Sequence, residues 1–217
     1  MLTNIKYGII GASGRLGSEV KNVFSESGND LVFSYSMEGE WKTDTPKVLI
    51  DCSLPDVLEK TISYVKQFNS PLVIATTGLS DSQFELLKEL SKTITVVQSY
   101  NYSIGVQVLL KLVKLAKENL PDWDVEIEET HHRFKKDKPS GTAKMIKNIF
   151  EGKEINISSL RLGNVAGDHE IHFAGLGDVL TIEHHAISRR TFAEGIIKAA
   201  EFVIKQKPGL YNFSDVI

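Results

Sequence analysis

The chain has 217 residues, 41% hydrophobic and 24% charged, with a formal net charge of −3. That supports a packed core and excludes global disorder and nucleic-acid binding by bulk electrostatics. A lone Cys52 allows no internal disulfide, no apolar run reaches the ~18 residues of a membrane span, and the start MLTNIKYGIIGASG lacks the apolar stretch of a signal peptide, so a cytoplasmic protein that avoids membranes is expected.

The first hundred residues alternate two patterns. Short apolar runs at residues 7–10, 31–35, 48–50, 72–75 and 94–97 read as strands buried on both faces of a parallel sheet. Helical periodicity lies between several of them. Leu16, Val20, Val23 and Phe24 share one face, ahead of a stop at Gly28. Leu58, Ile62 and Val65 share another, and Ser80 and Gln83 have capping-box spacing before a third. Strand and helix in repetition predict an α/β fold, a Rossmann-type doubly wound parallel sheet.

The first strand runs directly into Gly11-Ala12-Ser13-Gly14-Arg15-Leu16-Gly17, which opens the first helix. In that position the glycines serve a tight turn, close approach to a pyrophosphate and helix–sheet packing. The helix start then offers free N–H groups to phosphate, and Arg15 adds a charge. Dinucleotide binding is the expectation. Binders of NAD usually carry an acid at the tip of the second strand. That tip is Ser36 here, with Glu38 two residues on. The cofactor expectation is therefore NADPH, or NADPH and NADH alike.

After residue 100 the pattern changes. Ser103 caps a long helix that Pro121 stops, and alternating segments follow around 125–127, 155–157, 171–173 and 180–182. A last helix begins near Thr191. This predicts a smaller α+β domain at 103–190, with 1–102 and 191–217 forming the dinucleotide domain.

Residues 131–138 collect Arg133, Lys135, Lys136 and Lys138 against Asp137, beside His131 and His132. The run ends on Pro139-Ser140-Gly141-Thr142, at the start of a helical pattern. A helix start with two hydroxyls holds anions, and histidines beside a lysine move protons near neutral pH. A small carboxylate substrate suits this set better than nucleic acid, because Glu126, Glu128 and Glu129 precede it. Glu126 and Glu128 read as a solvated strand face. His169, His172, His184 and His185 match no compact zinc motif and read as strand-surface or interface residues, so no metal is expected. Trp41 and Trp123 read as packing residues.

The segment ETHHRFKKDKPSGTA, residues 129–143, strongly resembles the signature of the 4-hydroxy-tetrahydrodipicolinate reductase family, which acts in the diaminopimelate route to lysine. The glycine loop, Asp51-Cys52-Ser53-Leu54-Pro55, Ala75-Thr76-Thr77-Gly78, the segment from Asn101 to Val106, Gly167-Asp168-His169 and the segment from Ala186 to Arg189 are similar to further family segments. The resemblance implies that His131 is the acid/base histidine and Lys135 the proton donor. It implies that His132, Gly141 and Thr142, with Ser140 assisting, bind a cyclic dicarboxylate. Ala75, Thr76 and Thr77, with Ser99, Tyr100, Asn101 and Tyr102, would line the nicotinamide end of the cofactor. The implied reaction loses the 4-hydroxyl as water and reduces the ring with NADPH or NADH. The implied assembly is a homotetramer formed through the second domain. His185 stands where the family resemblance leads one to expect Lys or Arg, and Cys52 replaces an aromatic. Two other readings stand beside this one: a different dehydrogenase on a similar two-domain scaffold, and a non-catalytic NADP-sensing regulator.

Overall fold

A computed structural model describes residues 4–217. The chain divides into two compact units. One takes the residues through Tyr102 together with Phe192–Ile217; the other is Ser103–Thr191.

The first unit is built on a seven-stranded sheet. Its strands are β1 (Lys6–Ile10), β2 (Asp30–Ser36), β3 (Gly39–Lys42), β4 (Val48–Asp51), β5 (Leu72–Ile74), β6 (Thr95–Gln98) and β11 (Gly209–Asn212). Their order is β11-β6-β5-β4-β1-β2-β3. All neighbours are parallel except β2 and β3, which form an antiparallel edge hairpin. Strand β4 shows why. All four of its residues are buried. Val48 and Ile50 join a core shared with helices α1 (Arg15–Glu26) and α6 (Arg190–Val203). Leu49 joins the opposite core with α2 (Leu58–Phe68) and α3 (Asp81–Ser91). Apolar residues on both faces require helices on both faces. The doubly wound sheet expected from the strand pattern is thus present.

Local signals act where the sequence places them. Gly28 has a left-handed φ of 75° just past α1, and Ser80 forms a complete capping box with Gln83. Two strands were not expected from the sequence. Strand β3, GEWK, is exposed at every residue and carries no apolar run. Strand β11 is short and only half-buried. Trp41 lies on β3 and is half-exposed rather than packed.

The second unit carries a four-stranded mixed sheet. It comprises β7 (Asp124–His131), β8 (Asn156–Arg161), β9 (Asp168–Ala174) and β10 (Val179–His185), ordered β10-β9-β7-β8. Helices α4 (Ile104–Asn119) and α5 (Gly141–Asn148) share its core, through Leu109, Val113, Ala143 and Ile146 against Ile127, Ile171 and Phe173. The half-buried Trp123 packs on the same core. Among the described residues no helix is long and apolar enough to cross a membrane.

Candidate active site

In the first unit the candidate cofactor residues gather at the carboxyl ends of the strands. Strand β1 pairs with both β2 and β4, so the chain winds outward in both directions from this point. Such a switch point opens a crevice at the strand tips. Gly11 leaves β1 with φ 84°, and a Cβ there would lie 2.7 Å from the Cys52 carbonyl oxygen. A Cβ on Gly17 would lie 2.2 Å from the Gly11 oxygen. Only glycine permits this approach of α1 to the loop. Helix α1 begins at Gly14, which provides no side-chain cap. Helices α3, α4 and α5 are each capped by a serine hydroxyl. The first amides of α1 have no intrahelical acceptor, so this helix start suits a pyrophosphate. Ser13 and Arg15 are exposed beside it, while Ala12 and Leu16 turn toward the core.

Asp51, at the tip of β4, organises the neighbouring loop. It is fully buried. It accepts hydrogen bonds from the Ser53 amide at 2.8 Å, the Thr61 hydroxyl at 2.8 Å, the Thr76 hydroxyl at 2.9 Å and the Ser53 hydroxyl. Burial pushes its carboxyl above the usual range although these donors oppose the rise. Thr76 is therefore held inward, and Thr77 is exposed. Ser99 closes a tight turn by donating to the Asn101 carbonyl at 2.8 Å. The Tyr102 ring is core, its hydroxyl lying between the Ile74 and Val97 carbonyls at 2.9 and 3.1 Å. Tyr100 is the exposed member of that segment. Ser36 accepts from the Glu38 amide at 3.2 Å in the β2–β3 turn.

In the second unit the register of β7 builds a polar cluster. Ile127, Glu129 and His131 alternate on the buried face. Ile127 lies opposite Ile157 and Ile171, apolar on apolar. One step on, Glu129 lies opposite Ser159 and His169; the last step sets His131 opposite Arg161. The face thus turns from apolar to charged along three strands. Glu129 is fully buried. It pairs with the His131 Nδ1, takes both terminal nitrogens of Arg161 at 2.9 Å, and accepts from the Ser140 amide at 3.3 Å. Burial alone would raise its carboxyl, but hydrogen bonds from His131, Arg161 and Ser159 outweigh it and hold the group down at about 2. His169 meets the His131 ring edge-on at 5.2 Å. Burial, and after it the charge of His131, push His169 down to about 3.

The basic run divides. Arg133, Lys136 and Lys138 are exposed, whereas Lys135 is half-buried and pairs with Asp137 at 2.9 Å. His131 and His132 are both buried. Ser140 caps α5, accepting from the Ala143 amide at 3.2 Å, and its hydroxyl also meets His169 Nε2 at 3.2 Å. With its own amide on Glu129, Ser140 is committed inside the protein. Gly141 and Thr142 form the first turn of α5 beside it.

The sequence reading missed Arg161, gave Glu129 and Asp51 no role, and placed His169 at a strand surface or an interface. His169 is 2% exposed. The period-two pattern of β7 carried the signal for Glu129. The partners Arg161 and His169 are set by strand pairing, which sequence spacing does not reveal. His172 and His185 are the surface histidines, and His185 sits 3.4 Å from both Asp168 and Glu183. Asp168 and then Glu183 raise its basicity, which favours a cation at that position. Among the described residues no group of acids, histidines and cysteine is arranged to hold a metal.

Two family models divide the chain between them. One, described as dihydrodipicolinate reductase, N-terminus, matches residues 5–102, and one described as dihydrodipicolinate reductase, C-terminus, matches 105–217. The chain belongs to the dihydrodipicolinate reductase family. A 4-hydroxy-tetrahydrodipicolinate reductase of Thermosipho africanus is 46% identical over 98% of this chain and 98% of its own. One from Bdellovibrio bacteriovorus is 38% identical over 100% and 97%. The dipicolinate-bound dihydrodipicolinate reductase of Paenisporosarcina sp. TG-14 shares the fold, with a TM-score of 0.78 at 24% identity over 99% and 100% of the two chains. Dihydrodipicolinate reductases are oxidoreductases with a nicotinamide cofactor, and the glycine loop and uncapped helix start fit the pyrophosphate of such a group.

Proposed function

We propose that this protein reduces 4-hydroxy-tetrahydrodipicolinate to tetrahydrodipicolinate, with loss of water, in the diaminopimelate route to lysine. The observation that carries the reading is the buried Glu129–His131 pair beside Lys135 and the start of α5, in a chain whose relatives bear this reductase name. A bound nicotinamide supplies hydride to the substrate ring. Gly141 and Thr142, at the positive end of α5, hold one ring carboxylate, and His132 contacts the substrate beside them. Ser140 builds this anchor from within. The Lys135 ammonium delivers the proton required on the nitrogen side of the ring. The same ammonium stabilises the charge that develops there, and His131 presents Nε2 to the substrate as the acid/base group.

Gly11, Ala12, Ser13, Gly14, Arg15 and Leu16 cradle the cofactor phosphates. Ala75, Thr76 and Thr77, with the segment from Ser99 to Tyr102, take the nicotinamide end. Both NADPH and NADH serve. Ser36 brings no carboxylate to repel a 2′-phosphate, and Glu38 keeps an acid near a free ribose diol. The protein acts as a cytoplasmic homotetramer. An exposed apolar row on α4 (Ile104, Val108, Leu112, Leu115) and the exposed Val179 and Leu180 of β10 supply surface for that assembly; light scattering of the purified protein measures its mass.

The test couples the chain to the preceding synthase. That enzyme makes the unstable substrate in the cuvette from pyruvate and aspartate semialdehyde, while NADPH or NADH absorbance is followed. Synthase-dependent loss of signal is expected with both cofactors. Lys135→Ala should lower kcat by roughly 10²–10⁴-fold and leave cofactor affinity unchanged. Turnover untouched by Lys135→Ala removes that residue from its role, and no turnover by a folded, cofactor-bound protein removes the reading.

A further inference from the structure

Arg161 has five N–H donors, and all five have acceptors. Nε reaches the Lys135 carbonyl at 3.2 Å; one terminal nitrogen reaches Glu129 Oε2 at 2.9 Å and the Leu160 carbonyl at 2.6 Å. The other reaches Glu129 Oε1 at 2.9 Å and the Asp137 carbonyl. A planar fork satisfied on every arm has one orientation. The carboxylate it grips has one as well, because the Ser140 amide holds a further lone pair. That carboxylate faces His131 Nδ1. The same guanidinium fixes the backbone on both sides of Lys136, and so the root of the Lys135 side chain. His131 Nε2 points the other way, toward Gly167, where a Cβ would lie 3.0 Å from it.

We propose that Glu129 and Arg161 are positioning residues: Glu129 binds the Nδ1 proton of His131, so that the neutral ring presents an unprotonated Nε2, and Arg161 locks this carboxylate and the Lys135 loop into one geometry. The physical reason is tautomer control. A neutral imidazole carries one proton, and the hydrogen bond at one nitrogen decides which nitrogen has it. An ionised carboxylate accepts only, so Nδ1 is the donor. Glu129 is ionised across the physiological range, since its donors hold its pKa at about 2. With Glu129→Gln the amide oxygen keeps the Oε1 position, held by one Arg161 terminal nitrogen and the Ser140 amide. Its NH2 takes the Oε2 position facing Nδ1, with the loss of the other Arg161 bond. The proton moves to Nε2, and the ring presents the wrong valence to the substrate. The inference rests on the reductase reading for the reaction it serves, but the tautomer belongs to the protein alone.

The test is nitrogen NMR of histidine-labelled protein without substrate, with the His131 signals assigned by their loss in His131→Gln. At a pH where the ring is neutral, wild type should show Nδ1 protonated and Nε2 bare, and Glu129→Gln should reverse the two. In the coupled assay Glu129→Gln should lower kcat by about 10²-fold or more and change KM for the dicarboxylate by less than about threefold. Arg161→Lys, with three donors in place of a fork, should lower kcat in the same way while Glu129→Asp fails to restore it. An Nε2–H ring in wild type overturns the proposal, and so does a Glu129→Gln protein with unaltered tautomer and kcat. Wild type alone decides the tautomer should that variant not fold. A wild-type protein with the Nδ1–H ring and no turnover supports the positioning and counts against the reductase reading instead.

Discussion

His169 and Glu129 face each other across two strands, and acid acts on both. His169 is neutral in the fold, with its pKa pushed down from 6.5 to about 3, first by burial and then by His131. A base whose folded pKa lies below its unfolded value contributes stability that is full above the unfolded pKa. That contribution is lost as pH falls from about 6.5 toward 3, at up to ~1.4 kcal/mol per pH unit. Glu129 has its pKa lowered from 4.5 to about 2. Its contribution is full above 4.5 and is lost as pH falls through 2, and is on the order of 3 kcal/mol. Acid destabilisation should therefore begin near pH 6 through His169 and steepen below 4.5 through Glu129. Urea midpoints measured from pH 7 to 4.5 should fall for wild type and fall less for His169→Gln, in which His184, also pushed down by burial, still acts. A slope unchanged by that substitution means another group carries it. The sequence shows both residues but not this coupling. Glu129 reads as one of three acids on a strand, and His169 as one of four histidines. Their pairing appears only when β9 is laid against β7.

Helix starts show what a single serine does in two settings. Ser80 and Ser140 cap α3 and α5 with the same bond to the third amide of the helix. Ser80 is exposed, whereas Ser140 is 1% exposed and touches His169. Ser80→Ala should cost about 1 kcal/mol and leave catalysis alone. Ser140→Ala should cost roughly 1–3 kcal/mol more, because it strips a partner from buried groups, and should raise KM for the dicarboxylate as the start of α5 loosens. Denaturation with the coupled assay separates the two. The cap at Ser80 was legible from its spacing to Gln83, whereas Ser140 reads as an anion-holding hydroxyl at a helix start. Most helices and all strands with a continuous apolar run were legible too. Strand β3 was not, since GEWK is exposed throughout and is held by hydrogen bonds to β2 rather than by burial. Periodicity reports burial, so an element without burial leaves no trace in it. Helix α2 has no side-chain cap but continues a 3₁₀ turn at Pro55–Val57, whereas α1 has no cap and follows the glycine loop directly. With Gly14 in place of a serine its amides are left for a ligand. Gly17→Ala should push α1 off the loop and weaken cofactor affinity severely, by titration of nicotinamide fluorescence.

The first unit is discontinuous in sequence, and its second segment is structural rather than ornamental. Ala193, Ile196, Ala199, Ala200, Val203 and Phe213 belong to the core beneath α1, and β11 covers the free edge of β6. The return of the last helix was expected from its apolar face, but the strand after it was not. The second unit, by contrast, is one uninterrupted stretch, Ser103–Thr191. This difference has a consequence for how the chain is made. A ribosome releases the whole of the second unit while the first still lacks a strand and a helix. Until residue 212 has emerged, β6 remains an open edge able to pair with another chain, beside apolar residues that wait for α6. The nascent chain is thus most exposed to misassociation in its first unit, and β11 acts as the closing stitch for a sheet begun some two hundred residues earlier.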